Sequence, residues 1–274
     1  MDNRPIGVFD SGLGGLTVVK EIKKKLPGES LIYFGDSGRT PYGTKSKETV
    51  IKYSKQDIAF LLSMDVKLIV VACNTVSSVA LPEIKDLVQV PVLEVVDPGA
   101  DAAIKKSRTG RIGIIGTPNT IASSIYSKAI KQRNPEAKIF AKPCPLFVPL
   151  VEEGWWDNDI ARMIAFEYLK DLLKENIDTL VLGCTHYPLL SDTIRKVVGQ
   201  EIVLVNSAEE VASALEQMLL NEDLLTDSSS VQYRYYTSDS VDKFKELGSL
   251  ILEEEVCNVE RIDIDKYEFS FYHA

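Results

Sequence analysis

Histidine and cysteine are scarce in this 274-residue sequence, which contains two of the first and four of the second. Cysteines spaced this widely do not form the framework of a small disulfide-stabilised domain. No Cys-x-x-Cys pair occurs, and so few histidines do not supply the ligands of a structural zinc site. We therefore expect no metal centre. The four thiols belong to Cys73, Cys144, Cys184 and Cys257.

Long hydrophobic runs and an excess of positive charge are also missing. No apolar stretch approaches the roughly 18–20 residues that span a bilayer, and the N-terminal segment 1–5 lacks the layout of a signal peptide. We expect a cytoplasmic protein that does not bind a membrane. The formal net charge of −9 argues against a nucleic-acid-binding surface.

The composition and the patterning of the chain predict an α/β protein. Hydrophobic residues make up 45% of the sequence, enough for two domains with a core each. Short runs of Val, Ile and Leu alternate with amphipathic stretches, as in parallel sheets whose strands are buried on both faces. Strands are predicted at Ile6–Phe9, Leu31–Phe34, Leu68–Ala72, Val92–Val95, Arg111–Ile115, Lys138–Ala141, Thr179–Leu182 and Ile202–Val205, with a strand-like segment at Val231–Thr237. Helices are predicted at Leu16–Leu26, Ser46–Leu62, Ile160–Leu173 and Glu209–Leu220.

A faint internal repeat divides the chain into two halves. The exit of a predicted strand at Asp10 precedes Cys73 by 63 residues, and the exit at Gly116 precedes Cys184 by 68. This spacing predicts two similar α/β sandwich domains with mostly parallel sheets, related by a pseudo-two-fold axis, with the active site in the cleft between them. The first domain would be discontinuous and contain residues 1–97 and 207–274, and the second would contain residues 98–206.

Turn chemistry marks the expected domain boundary. Asp97-Pro98-Gly99 is typical of a turn between two regular elements. We expect the segment after residue 206 to return to the first domain and cover it. The sequence does not decide how the aromatic C-terminal segment Tyr267–Ala274 packs.

Two of the cysteines follow short apolar runs in matching contexts. Cys73 ends one predicted strand and Cys184 ends another, and the next residue, Asn74 or Thr185, is of a type that caps helices. Ligands of parallel α/β sheets bind outside the carboxyl ends of the strands. The two motifs therefore predict a pair of thiols that face each other across a cleft.

Acid–base groups accompany both thiols. A thiolate accepts protons, and its pKa falls at a helix N-terminus or beside a cation. Glu152 and Glu153 lie in a stretch that contains several Pro and Gly residues, which predicts a loop over the cleft. The groups placed to exchange protons with the thiols are Asp10, His186, Glu152 and Glu153, and Ser11 leaves the first strand beside Asp10.

Structural roles also explain several of these residues. A single cysteine at the end of an apolar run is usually a small core residue, and Asp10–Gly12 is compatible with a turn and a helix cap. The matching contexts of two cysteines favour function, whereas Cys144 and Cys257 lack that context and are interpreted as structural. The loop Gly12–Gly15 fits neither of the nucleotide-binding glycine patterns.

At this point the sequence resembles a known family, the glutamate racemases, which form a branch of the wider Asp/Glu/hydantoin racemase group. The resemblance covers essentially the whole chain. It implies interconversion of L- and D-glutamate without a cofactor, supply of D-glutamate for peptidoglycan, and a homodimer. The motifs that carry it are Gly7–Thr17, Phe34–Asp36 leading into Pro41–Gly43, Ala72–Thr75 and Leu182–Leu189.

The resemblance also implies roles for individual residues. One thiolate removes the α-proton and the opposite thiol reprotonates the other face, with Cys73 acting on the D-enantiomer and Cys184 on the L-enantiomer. Asp10 would assist Cys73, while His186 and Glu152 would act on the side of Cys184. Substrate contacts are implied for Asp10, Ser11, Tyr42, Gly43, Asn74, Thr75, Thr185 and His186, with Thr117 and Thr120 as further members.

Three other functions stay open at this point. The first is racemisation of aspartate or another acidic amino acid. The second is a thiol hydrolase with Cys184 as nucleophile and His186 as base, although the two-residue spacing strains such a pair and leaves Cys73 without a role. The third is a binding module for acidic amino acids that performs no chemistry.

Overall fold

Two parallel β-sheets organise the computed structural model, which describes residues 1–268. The first sheet contains β1 (Ile6–Asp10), β2 (Leu31–Gly35), β3 (Leu68–Val71), β4 (Val92–Glu94), β9 (Tyr233–Thr237) and β10 (Val259–Arg261). The second contains β5 (Arg111–Gly116), β6 (Lys138–Pro143), β7 (Thr179–Gly183) and β8 (Val203–Asn206). We call each sheet with its helices a unit.

The two sheets share one strand order. The first sheet runs β10-β9-β2-β1-β3-β4 and the second runs β6-β5-β7-β8, so the order second-first-third-fourth recurs in both. All paired strands are parallel. The prediction of two similar α/β units with parallel sheets is therefore confirmed.

Helices connect the strands on both sides of the sheets. The four helices predicted from the sequence are present, each within two residues of its expected ends. In chain order the helices are α1 (Leu16–Lys25), α2 (Lys47–Ser63), α3 (Asn74–Val79), α4 (Leu81–Ile84), α5 (Val96–Lys106), α6 (Pro118–Ser123), α7 (Ile125–Arg133), α8 (Phe147–Glu152), α9 (Asp159–Lys174), α10 (Ser191–Val198), α11 (Ser207–Asn221) and α12 (Val241–Leu252).

Alternating side chains of the strands fill different cores. Val8 and Val70 point into a core that also contains Ile114 and Val181 of the second sheet. Phe9, the neighbour of Val8, belongs to a separate core on the other face of the first sheet, because successive strand residues point to opposite faces. Helix α11 packs against both α1 and α5 in the shared core and so joins the two units.

The C-terminal part of the chain returns to the first sheet. There β9 pairs with β2, and β10, which the sequence did not predict, pairs with β9. Buried Lys67 fixes this return, because its ammonium group contacts Glu29 at 2.7 Å and donates to the carbonyl of Leu224 at 2.6 Å. The expected domain limits themselves stay a prediction. Tyr267, the first residue of the aromatic C-terminal segment, packs against Phe60 with ring centroids 5.2 Å apart, and the part of that segment beyond Glu268 lies outside the described residues.

The turn predicted at Asp97-Pro98-Gly99 is wrong. These residues form the first turn of α5, which begins at Val96. Proline is tolerated there because the first turn of a helix leaves its N–H groups without intrahelical partners. Among residues 1–268, no helix is long and apolar enough to cross a membrane.

Candidate active site

The site lies where the strand order reverses in each sheet. In the first sheet the reversal falls between β1 and β3, and in the second it falls between β5 and β7. Crossover connections leave in opposite directions at such a point, and this opens a crevice at the carboxyl ends of the strands. Asp10 ends β1, and Cys73 lies between β3 and α3. Thr117 follows β5 and Cys184 follows β7, so each unit brings corresponding positions to one edge.

Both thiols line the same small cavity between the two units. Its volume is only about 10 Å³, close to the space of one water molecule. Cys73 and Cys184 are each about 95% buried, at 4% and 5% exposure. The first unit contributes Ser11, Pro41, Tyr42, Gly43, Cys73, Asn74 and Thr75 to the lining, and the second contributes Thr117, Val148, Cys184, Thr185 and His186.

Three predicted residues lie behind this lining rather than in it. Asp10 is completely buried beneath the loop that follows β1. Thr120 bonds to the Thr117 hydroxyl at 3.0 Å, and Glu152 lies behind His186. Sequence reasoning in turn missed Val148, an apolar residue of α8 without a chemical signature, which contributes to the wall of the cavity.

The surroundings of Cys73 favour its neutral thiol. The Cys73 thiol donates to the Ser11 hydroxyl, with the sulfur and oxygen 3.5 Å apart. Burial raises the pKa of Cys73, and the charge of Asp10 adds to the rise. The Asp10 carboxylate accepts the backbone N–H groups of Gly12 at 3.2 Å and Gly15 at 3.1 Å, which fixes the loop between β1 and α1.

The surroundings of Cys184 contain a positive charge instead. His186 Nδ1 lies 3.8 Å from the Cys184 sulfur, and His186 Nε2 lies 2.8 Å from Glu152 Oε1. Burial lowers the pKa of His186, but the bonds to Cys184 and Glu152 outweigh it and hold the pKa well above 6.5. The thiol and the imidazole thus lie 3.8 Å apart despite the two-residue spacing, which we expected to strain such a pair.

Glu152, and not Glu153, faces the site. The loop predicted over the cleft is wrong at this position, because Glu152 is the last residue of α8, and α8 packs beside the turn that follows His186. Burial raises the pKa of Glu152, but the hydrogen bond and the charge of His186 outweigh this and lower it. Glu153 is exposed and lies 3.7 Å from Lys243.

Hydroxyl groups bridge the two units. Thr75 of the first unit bonds to Thr117 of the second, with the oxygens 3.0 Å apart. Thr185 of the second unit donates to the Asp10 carboxylate of the first at 3.2 Å. Thr17, which the sequence reading did not single out, donates to the backbone carbonyl of Thr185 at 3.1 Å. In the sequence, only its position at the end of the motif Gly7–Thr17 indicated that Thr17 lies near the site.

Two glycines make this close approach possible. A Cβ atom on Gly14 would lie 2.4 Å from His186 Nδ1, and one on Gly43 would lie 2.4 Å from the Thr117 Cβ. Both distances are far shorter than van der Waals contact. The glycines therefore act here by bringing backbone against the opposite unit, and no positive φ is involved at either position.

The side chain of Tyr42 supports the site from outside. Its hydroxyl donates to the buried Asp36 carboxylate and lies 3.0 Å from Asp57. Arg39 completes the network with a contact of 2.6 Å to Asp36. These groups occupy the Tyr42 hydroxyl, and the backbone carbonyl of Tyr42 accepts from Asn119 Nδ2 at 3.2 Å and from the Lys45 N–H at 3.0 Å. Within residues 1–268, no group of three or more His, Cys, Asp or Glu side chains is arranged to hold a metal ion.

The structure defines a two-unit α/β protein in which each unit contributes one thiol to a shared cavity. Comparison with known families identifies the family to which such a protein belongs. The family model described as Asp/Glu/Hydantoin racemase matches residues 6–215. The chain therefore belongs to the Asp/Glu/Hydantoin racemase family.

Within that family the chain falls among the glutamate racemases. It is 48% identical to the glutamate racemase of Geobacter metallireducens over 96% of this chain and 97% of that one. The solved glutamate racemase RacE1 of Bacillus anthracis is 39% identical with a TM-score of 0.93, and the match covers 96% of this chain and 98% of that one. The enzyme of Francisella tularensis, solved with D-glutamate, is 38% identical with a TM-score of 0.91, over 97% of this chain and 100% of that one.

The ion pair at the site predicts an unusual histidine titration. We expect His186 to titrate well above pH 6.5 and Glu152→Gln to lower its pKa, because the substitution removes the negative charge 2.8 Å from Nε2. NMR titration of the imidazole signals measures this. The chain has only one other histidine, His273, so a His273→Gln background assigns the signal.

The matched control is Glu153→Gln, one residue further and exposed, which should leave the His186 titration unchanged. Since folding raises its pKa, His186 contributes its full stabilisation below about pH 6.5 and loses it as the pH rises through the folded-state value. Titration of His186 at or below pH 6.5 in the wild-type protein would contradict the arrangement.

Proposed function

We propose that this protein racemises glutamate at Cα by a two-base proton transfer between Cys73 and Cys184, without a cofactor. The observation that carries the proposal is that one thiol from each unit lines a single closed cavity. Glutamate as the substrate is supported by the relatives named glutamate racemases and by the Francisella tularensis enzyme, which was solved in complex with D-glutamate.

In the proposed reaction a proton leaves one face of Cα and another is then added to the opposite face. The thiolate of one cysteine takes the α-proton, so that an S–H bond forms as the C–H bond breaks and its electron pair stays on Cα. The thiol of the other cysteine then donates its proton to the opposite face and becomes a thiolate. The two sulfurs have exchanged their protonation states, and no oxidation or reduction takes place.

The unequal surroundings of the thiols fit a start from the L-enantiomer. His186, whose pKa is held well above 6.5, lies 3.8 Å from the Cys184 sulfur, and in this scheme Cys184 removes the proton of L-glutamate. Cys73, whose raised pKa keeps it a thiol, can donate to the other face. In the reverse direction Cys73 is the base, and the ammonium group of a bound amino acid would favour its thiolate. In this scheme Asp10 and Glu152 act through the groups they contact.

The weak acidity of the α-proton is the main obstacle to this reaction. A carbanion beside a carboxylate is stabilised by donors that are already oriented in a site without bulk water. The buried Asn74 amide and the Thr75 hydroxyl line the cavity and are donors of this kind. Because the cavity holds only about 10 Å³, we infer that the units move apart to admit glutamate and close around it.

The cellular role follows from the family. We propose that the product D-glutamate is used in peptidoglycan synthesis and that the enzyme acts in the cytoplasm. The resemblance to the glutamate racemases and the family match over residues 6–215 support both statements.

The direct test of the function is incubation of the purified protein with L-glutamate in deuterium oxide without any added cofactor. We expect the circular dichroism of glutamate to decay to zero and deuterium to appear at Cα of the product, because a thiol exchanges its proton with solvent before it donates. Loss of optical activity with retention of the substrate hydrogen would contradict proton transfer through thiols. Faster turnover of L-aspartate than of L-glutamate would assign the enzyme to a different acid.

The role of the thiols is tested by Cys73→Ala and Cys184→Ala. Each removes one base and one acid, so we expect racemisation to fall by roughly 10²–10⁴-fold or more in both variants. The chain offers a matched control in Cys144→Ala, because Cys144 is also buried in the second unit but does not line the cavity. Near-normal turnover in either cavity variant, measured by circular dichroism, would refute the two-base assignment.

Exposed apolar side chains on α9 support a homodimer. Met163 and Phe166 are 63% and 56% exposed on the face of α9 opposite its buried residues. In a two-fold antiparallel packing of α9 on its own copy, with the axis midway between positions 164 and 165, Met163 would lie opposite Phe166 of the second copy. Arg162, which contacts Asp159 within the helix, would lie opposite Glu167, which contacts Lys170. Apolar groups then meet apolar groups and charges of opposite sign pair, which favours a second copy of this chain as the partner.

The dimer is tested by light scattering coupled to size-exclusion chromatography. We expect a dimer for the wild type and a monomer for Met163→Glu, which buries a charge at the interface. Arg162→Glu should weaken the dimer and Arg162→Glu/Glu167→Arg should restore it. Leu250→Glu, an exposed leucine on α12, is the control and should remain dimeric. A wild-type monomer at all concentrations overturns this proposal alone.

A further inference from the structure

Tyr126 connects the second unit to a residue of the cavity. Its hydroxyl lies 2.6 Å from the side-chain oxygen of Asn74, Oδ1. Asn74 begins α3 in the first unit, whereas Tyr126 belongs to α7 in the second. Tyr126 is 2% exposed and does not line the cavity itself.

The amide nitrogen of Asn74 has no hydrogen-bond partner among residues 1–268. This atom, Nδ2, is buried, although Asn74 lines the cavity. An unpaired buried donor carries a cost of about 1–3 kcal/mol. A ligand acceptor in the cavity would satisfy it, and a carboxylate oxygen is such an acceptor because it can only accept hydrogen bonds.

The hydrogen bond between Tyr126 and Asn74 has a direction. Ser207, the first residue of α11, packs near the phenol, because a Cβ on Gly99 would lie 3.4 Å from the Tyr126 hydroxyl and 3.6 Å from the Ser207 Cβ. Burial raises the pKa of Tyr126 well above 10, so the phenol keeps its proton. The single hydroxyl hydrogen of Tyr126 goes to Asn74 Oδ1. This leaves the amide NH₂ group to face the cavity.

Two glycines hold the ring of Tyr126 in place. A Cβ on Gly99 would lie 3.2 Å from one edge atom of the ring, and a Cβ on Gly183 would lie 3.3 Å from another. Gly183 directly precedes Cys184, so the ring packs against the end of the strand that carries the second thiol. The ring therefore lies between Gly99 of α5 and Gly183 of β7, which fixes the position of its hydroxyl. This packing explains why position 99, which we predicted to lie in a turn, is a glycine.

We propose that Tyr126 is a positioning residue that locks the side-chain amide of Asn74 with its NH₂ group toward the cavity, where it donates to a carboxylate of the substrate. This inference rests on the proposed racemisation of glutamate. Without the tyrosine hydroxyl, the amide can rotate by half a turn and present its oxygen to the carboxylate, which repels it. Tyr126 thus acts through Asn74 and does not touch the substrate.

The test starts with Tyr126→Phe, which removes the hydroxyl and keeps the ring. We expect the KM for both enantiomers of glutamate to rise about tenfold, the size of one hydrogen bond to a charged group. We expect kcat to change by less than about threefold, because the carboxylate carries its charge in the ground state as well as in the transition state. Titration calorimetry should show the same tenfold loss of affinity for D-glutamate, and it measures binding independently of turnover.

Three further variants separate positioning from a general structural effect. Ser207→Ala should raise KM less, because Tyr126 can still donate to Asn74. Tyr235→Phe is the matched control, since it removes a buried hydroxyl of β9 that has no hydrogen-bond partner within residues 1–268, and it should leave KM unchanged. In an Asn74→Ala background, Tyr126→Phe should add no further rise in KM, because the group it positions is already gone.

The outcomes distinguish this inference from the proposed function. If wild-type protein racemises glutamate while Tyr126→Phe has an unchanged KM, the positioning role is wrong and the function stands. A tenfold effect of Tyr126→Phe that persists in the Asn74→Ala background also overturns it, because the tyrosine then acts by another route. Wild-type protein that neither binds nor racemises glutamate overturns the function and the inference together.

Discussion

The close contact between the edges of the two sheets is the constraint on which the site depends. The Thr185 hydroxyl reaches the Asp10 carboxylate, and Gly14 lets the backbone of one unit lie against His186 of the other. This contact reduces the cavity to about 10 Å³ and buries both thiols in it. Exclusion of water strengthens every charge interaction in the cavity, so the same packing that closes the site also sets its electrostatics.

The electrostatics differ on the two sides although the strand order is the same. Cys73 lies beside a buried carboxylate and a serine hydroxyl, whereas Cys184 lies beside an imidazole paired with Glu152. The fold repeats the position of each thiol, and the loops supply different neighbours. A pair of bases that work in opposite directions on one carbon can use this difference, because one sulfur should hold a proton while the other does not.

The sequence predicted the fold well where local pattern and tertiary structure agree. Near-continuous apolar runs marked the strands of both sheets except β10, whose three residues Val259–Arg261 are mostly exposed and carry no such pattern. The prediction of a turn at Asp97–Gly99 was wrong because Pro98 lies in the first turn of α5, and Gly99 leaves space for the ring of Tyr126. The loop expected at Glu152 failed because α8 continues through the residues after its proline.

The sequence by itself determined which residues stand at the ends of the strands, since hydrophobic periodicity fixes the strands and a parallel sheet gathers their carboxyl ends at one edge. It thereby predicted Cys73, Cys184 and their neighbours in the chain as a candidate site. Only the tertiary structure decided which side chains meet across the units: Glu152 rather than Glu153 with His186, and Tyr126 with Asn74. These contacts join residues 34 and 52 positions apart, and their geometry follows from how helices pack on the sheets, which no local pattern encodes.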